Sequence, residues 1–230
     1  MTSDPKLNNY PKASNGLVYG GILVYVGGLF LLVSFASPYW VESFEKTFIE
    51  FKNMGLWEYC FEHMRFPNHQ LDQLFDGCHF IYSHKYHVIR ECLLPGWLLA
   101  VQLFVTLAFL LSFGSQVIIA LVVVRYPLNF ILDYEWLLTI IVAVCNAVAS
   151  FLLFVSTLLF FSQSSRRDWL MYPNFNHLSW SFYFAVISFF IHAVASRVLY
   201  KDARRAYEMK QENKNLLMQM QPPHGTNGYV

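Results

Sequence analysis

Four stretches of this chain carry no charged side chain over about the thickness of a bilayer, and that pattern leaves few folds open. They cover residues 17–37, 93–124, 136–161 and 178–196. A hydrocarbon core of about 30 Å takes roughly 20 helical residues to cross. In lipid each backbone N–H and C=O must be satisfied within its own segment, so each stretch is expected to be a helix. Composition agrees: 56% of residues are hydrophobic and only 13% charged, about half the charged share of a soluble domain. The first run is longer than the roughly 7–15 apolar residues of a signal peptide and follows Pro5 and Pro11. Despite a small-x-small pattern at Ser34 and Ala36, it is expected to be retained as a span. The expected fold is an all-α membrane protein, a four-transmembrane-helix bundle with a small extracellular β-sheet and the lipid bilayer as its first partner.

Basic residues in short flanking segments set orientation. Lys6 and Lys12 precede the first run, Arg125 follows the second, and Arg197, Lys201, Arg204, Arg205, Lys210 and Lys214 follow the fourth. The short connection between the third and fourth runs holds only Arg166 and Arg167. Segments 1–16, 125–135 and 197–230 are therefore expected in the cytoplasm, and loops 38–92 and 162–177 outside. The net charge of +1 gives no sign of a nucleic-acid partner.

The long outer loop is rich in strand-favouring residues, among them Tyr39, Trp40, Val41, Phe51, Trp57, Tyr59, Phe61, Phe80 and Ile81. Breaker clusters at Asn53-Met54-Gly55 and Pro67-Asn68-His69 divide it. A small antiparallel sheet on the membrane surface follows, marginal without help. A disulfide between Cys60 and Cys78 would supply about 3 kcal/mol by closing an 18-residue loop. Cys92, at the membrane boundary, leaves other pairings open.

Trp40, the Gly55-Leu56-Trp57 triplet, Cys60 and Cys78 resemble the W…GLW…C…C signature of the claudin superfamily, which includes peripheral myelin proteins, epithelial membrane proteins and calcium-channel γ subunits. Arg90 resembles that family's arginine at the entry to the second span. The resemblance implies that Trp40 and the Gly-Leu-Trp turn seat the sheet on the helix ends with their indoles at headgroup level. It also implies that Gly55 permits a backbone bend and that Arg90 anchors the base of the loop, through hydrogen bonds to loop carbonyls. The chain departs from vertebrate claudins in its longer cysteine interval, its long second span and its lack of membrane-proximal cysteine pairs after spans two and four. It looks closer to an invertebrate septate-junction claudin than to a tight-junction one.

Other features have ordinary readings beside functional ones. Six of the eight histidines fall in the outer loops, and His84-x-x-His87 offers two zinc ligands without a third, so solvated histidines are expected and no metal or cofactor. The first loop carries eight acidic and five basic residues, a balance that suits either solubility or a cation-favouring pore. Gly16, Gly20 and Gly27 share one helical face, which predicts close helix packing inside the bundle. Gln102, Gln116, Asn146 and His192 are polar groups at membrane depth, expected to face the bundle. The aromatic second loop either seats in the membrane or contacts a facing cell. The terminal Tyr229-Val230 carboxylate can add as a strand to a PDZ groove on a scaffold protein. No catalytic motif stands out, so an enzyme is not expected. The resemblance implies a junction protein that forms or organises a paracellular barrier in epithelia, a homo- or hetero-oligomer with other claudin-like chains in cis and trans. Its alternatives are an auxiliary subunit of a channel or receptor, or a non-pore membrane organiser.

Overall fold

The structure is a computed structural model that describes residues 13–44, 50–65, 74–125, 128–166, 169–170 and 173–220. Helix α1 spans Asn15–Ala36, the short α2 Arg90–Leu93, α3 Gly96–Val124, α4 Leu128–Gln163 and α5 Trp180–Met220. Strands β1 (Val41–Ser43), β2 (Phe51–Met54), β3 (Glu58–Met64) and β4 (Phe75–Phe80) lie between α1 and α2, and β5 (Asn176–Leu178) lies between α4 and α5. Among the described residues, four helices are long and apolar enough to cross a membrane.

Helix ends differ from the apolar runs for local reasons. Ser14 caps α1, its Oγ accepting from the Leu17 N–H at 3.0 Å. The second span was expected from residue 93, but Pro95 forces Leu94 out of the helical region (φ −119°, ψ 70°), so α3 starts at Gly96 and α2 stands apart. Helix α4 starts at Leu128 rather than 136, taking up most of the expected 125–135 loop. The fourth span, expected over 178–196, starts at Trp180 and continues as helix to Met220, with Arg204 Nε donating to Glu208 at 2.8 Å one turn on. At 1.5 Å per residue α5 is roughly 60 Å long, about twice a bilayer core, so its charged half projects beyond it.

The bundle interior is layered. One apolar cluster contains Leu17, Val24, Ile119, Val142 and Leu199, and another contains Leu31, Leu98, Val105, Ala149, Leu153 and Ala185 together with the buried face of the sheet. Between them every long helix contributes small or polar groups. Gly27 accepts at its carbonyl from Ser188 Oγ (2.9 Å), Ser112 Oγ meets His192 Nε2 (2.9 Å), and Asn146 Nδ2 donates to Ser115 Oγ (3.1 Å). Polar groups in lipid face inward and pair, and these do, apart from Asn146 Oδ1, which is buried without a hydrogen-bond partner. The Gly16, Gly20 and Gly27 face meets α5: added Cβ atoms would run into Asp202, Leu199 and His192 respectively. Gly27→Val is expected to destabilise by about 1–3 kcal/mol through overpacking, because its Cβ alone would sit 2.8 Å from the buried His192 ring. Thermal unfolding of purified protein in detergent checks this, and an unchanged midpoint would contradict the packing.

Candidate functional site

The five strands form one antiparallel sheet in the order β4-β3-β2-β1-β5. The expected loop sheet has four strands of its own, and the second loop adds the fifth: Val41, Glu42 and Ser43 pair with Leu178, His177 and Asn176. Both loop segments thus belong to a single sheet. Cys60 and Cys78 are directly opposed on β3 and β4, with Cα atoms 4.0 Å apart, and their disulfide cross-links the strands. Beyond the bond Phe61 pairs with Gly77 (φ +86°), and the ladder then shifts register between Phe61 and Met64, a stretch that holds His63 at φ +53°. Cys92 and Cys145 are free thiols.

Trp40 is completely buried. Its indole N–H donates to the Ser34 carbonyl at 2.9 Å, and its ring meets Phe160 and Phe182 edge-on at 4.9 and 5.8 Å. Its backbone N–H donates to the Met54 carbonyl at 2.7 Å, and its carbonyl accepts from Ser179 N–H at 3.0 Å. One residue thereby joins α1, β2 and the entry to α5 while packing on α4. The Trp40 indole is sealed where sheet and bundle meet, its flanking strand turning it inward between Phe160 and Phe182.

Gly55 is a point of close approach at the start of the turn into β3. A Cβ there would fall against the Ser37 carbonyl oxygen and 2.7 Å from the Pro38 Cα, so the turn and the chain leaving α1 touch only because it is absent. Leu56 is buried and its carbonyl accepts from Gln102 Nε2 at 2.6 Å. Trp57 lies half-buried between Phe35 and Phe80, ring centroids 5.2 and 6.5 Å away. Arg90 Nη2 donates to the Tyr82 and Ser83 carbonyls at 3.2 and 3.4 Å, with the guanidinium 5.8 Å over the Tyr82 ring.

Several residues of the seat were not singled out from sequence. Tyr59 Oη donates to the Leu93 carbonyl at 2.7 Å and accepts from Trp169 Nε1 at 3.1 Å, tying β3 to α2 and to the second loop. Tyr86 Oη donates to the Tyr59 carbonyl at 3.0 Å. Trp97 meets Trp169 edge-on at 4.5 Å. Gln102 was expected to face the bundle, and it does so at its mouth, accepting from Tyr82 Oη at 3.0 Å while holding the Leu56 carbonyl. The aromatic content of both loops was the available signal. The His84 and His87 rings stack at 6.3 Å, and among the described residues no three His, Cys, Asp or Glu groups gather to hold a metal. Tyr229 and Val230, like Arg167, Tyr172 and Pro67-Asn68-His69, lie outside the described residues.

Burial pushes both the Tyr59 and the Tyr86 hydroxyls above the ordinary tyrosine range, the Trp169 hydrogen bond offsetting part of this at Tyr59. The folded state therefore keeps protons that the unfolded state gives up above pH 10. Stability is expected to be level up to about pH 10 and then to fall by about 1.4 kcal/mol per pH unit for each tyrosine. Unfolding midpoints between pH 8 and 11.5 test this, with Tyr59→Phe removing about half of the slope. The Lys52–Glu62 ion pair at 2.5 Å is half-exposed and adds little.

These elements define a class: a multi-pass membrane protein whose disulfide-closed sheet is fixed to one end of a four-helix bundle. The family described as PMP-22/EMP/MP20/Claudin tight junction matches over residues 25–200, and the chain belongs to that family. Among curated proteins none matches the chain.

Proposed function

We propose that the protein is a claudin-like cell–cell junction component that forms or organises a paracellular barrier in epithelia, with the sheet outside the cell and both termini in the cytoplasm. The observation that carries this reading is the single sheet built from both loops and cross-linked by Cys60–Cys78. A surface meant to bear on neighbours must hold its shape, and this one is tied to the helix ends by Trp40, Gly55, Tyr59 and Arg90. The disulfide favours an oxidising compartment for the sheet. The basic residues from Arg197 to Lys214 favour the cytoplasm for the projecting half of α5. The protein associates through this sheet with like chains in cis and trans, and Tyr229-Val230 engages a PDZ scaffold. It performs no catalysis.

The test is expression of tagged protein in epithelial cells that lack junctional strands. Concentration at lateral contacts together with a slower paracellular flux of dye supports the reading. Uniform surface distribution, unchanged flux and altered currents in isolated cells coexpressing a channel would replace it with an auxiliary-subunit role.

A further inference from the structure

Where α5 leaves the bundle its outer face is basic. Arg197, Lys201, Arg204 and Arg205, all exposed, recur at the three- and four-residue spacings that put them on one helical stripe. Leu199 and Ala203, on the opposite side, are buried in the bundle. Asp202, the one acidic residue between Arg197 and Tyr207, is turned away from the stripe and accepts from Ser14 Oγ at the N-cap of α1 (2.6 Å). That contact sets the height of the stripe. Ser14 precedes the apolar run of the first span, so Arg197 and Lys201 lie at the bilayer surface, with Arg204 and Arg205 farther out. Tyr200, 54% exposed, adds an aromatic ring at headgroup level. Beyond Arg205 the same face changes sign at Glu208 and Glu212. Among the described residues Arg197, Lys201 and Arg205 have no acidic partner, while Arg204 Nε is held by Glu208 at 2.8 Å. Like charges at i,i+4 destabilise a helix, and Arg197–Lys201 and Lys201–Arg205 are two such pairs, so the stripe calls for an anion from outside the chain.

We propose that this stripe binds the headgroup of a multiply phosphorylated inositol lipid. Clusters of four or more basic residues just outside a spanning helix attract anionic lipid. Guanidinium groups also grip phosphate with paired, parallel hydrogen bonds. Height selects the lipid. From Arg197 to Arg205 the helix climbs about 12 Å, whereas the headgroup layer on one side of a bilayer is about 5–8 Å deep. A phosphatidylserine headgroup keeps its charge within that layer and meets only the lower two residues. A phosphorylated inositol ring carries further phosphates above the phosphodiester, at the height of Arg204 and Arg205. The change of sign at Glu208 and Glu212 marks where the anion ends. In the cell anionic lipid is concentrated in the cytoplasmic leaflet, so access to it rests on the orientation proposed above. The affinity of the stripe does not.

The test uses the full chain in phosphatidylcholine nanodiscs with headgroup-photoreactive probes of phosphatidylinositol bisphosphate, phosphatidylserine and phosphatidylcholine, labelled residues being mapped by mass spectrometry. Both leaflets carry the probe, so the result is independent of which end faces the cytoplasm. The bisphosphate probe is expected to label residues 197–205 saturably and at least tenfold more than phosphatidylcholine, with phosphatidylserine in between at matched charge. Arg197→Gln, Lys201→Gln and Arg205→Gln are each expected to lower that labelling about fivefold, the effect of one basic residue at an anionic surface. Lys214→Gln, farther along α5 and off the stripe, leaves it unchanged. Soluble inositol trisphosphate at the probe's concentration competes weakly, because only the lipid is held at the height of the stripe. A closed Cys60–Cys78 bond and an unshifted unfolding midpoint in each variant exclude misfolding. Labelling elsewhere only, equal labelling by phosphatidylserine, full competition by the soluble headgroup, or labelling indifferent to the three substitutions would overturn the proposal.

Discussion

Trp40→Ala is expected to destabilise the protein by about 3–5 kcal/mol, the range for emptying a fully buried aromatic site. The loss has two parts. Removing the ring opens a void between Phe160 and Phe182, and removing the indole N–H leaves the buried Ser34 carbonyl with only the 3.2 Å hydroxyl contact of Ser181. Trp40→Phe keeps most of the first and loses the second, so it should cost about 1–2 kcal/mol. Because Trp40 sits where sheet and helices share one core, the sheet should become protease-sensitive in Trp40→Ala while the spans stay protected. Limited proteolysis and thermal unfolding of the two variants read both effects. A Trp40→Ala protein within about 1 kcal/mol of the parent would remove this residue from the centre of the seat.

Replacing both disulfide cysteines by alanine is expected to cost about 3 kcal/mol, the chain-entropy value for the 18-residue separation that the bond closes. Single substitutions should do worse. Cys60→Ser leaves the exposed Cys78 without its partner, so disulfide-linked dimers beyond any formed by the parent should appear on non-reducing gels and vanish in Cys60→Ser/Cys78→Ser. Equal stability of the double-alanine variant and the parent would mean that β3 and β4 hold together without the bond. The ladder is short on either side of it, and β4 is an edge strand with three exposed residues in succession.

The spans were legible because an apolar run without charge has one solution in lipid, and the disulfide was legible because two cysteines shared one loop. The ends of the helices were less so. Pro95 was a visible stop, yet the extension of α4 back to Leu128 runs through Asp133 and Glu135, which hydropathy assigns to a loop. Glu135 is held by Arg125 at 3.7 Å, a pairing that depends on tertiary placement. Strand β5 left no signal: Asn176-His177-Leu178 has neither β-branched residues nor alternation, and its partner is β1, far away in the chain. The depth of Trp40 was hidden for a similar reason, since a tryptophan beside a span fits an interfacial belt equally well until Phe160 and Phe182 are placed around it. Gln102 shows the reverse case. Its polarity at the start of a span marked it, while its partner, the Leu56 carbonyl, is an anonymous backbone group.

The pairing of β1 with β5 also constrains the order of biosynthesis. Leu178 leaves the ribosome about 135 residues after Val41, which at 5–20 residues per second is a delay of roughly 7–27 seconds. In the proposed orientation the first four strands and their disulfide can assemble in the lumen during that interval, with one flank of β1 left open. Until the last loop is translocated, the nascent sheet offers a ready template for a wrong strand, so quality control of this protein is expected to act on that flank.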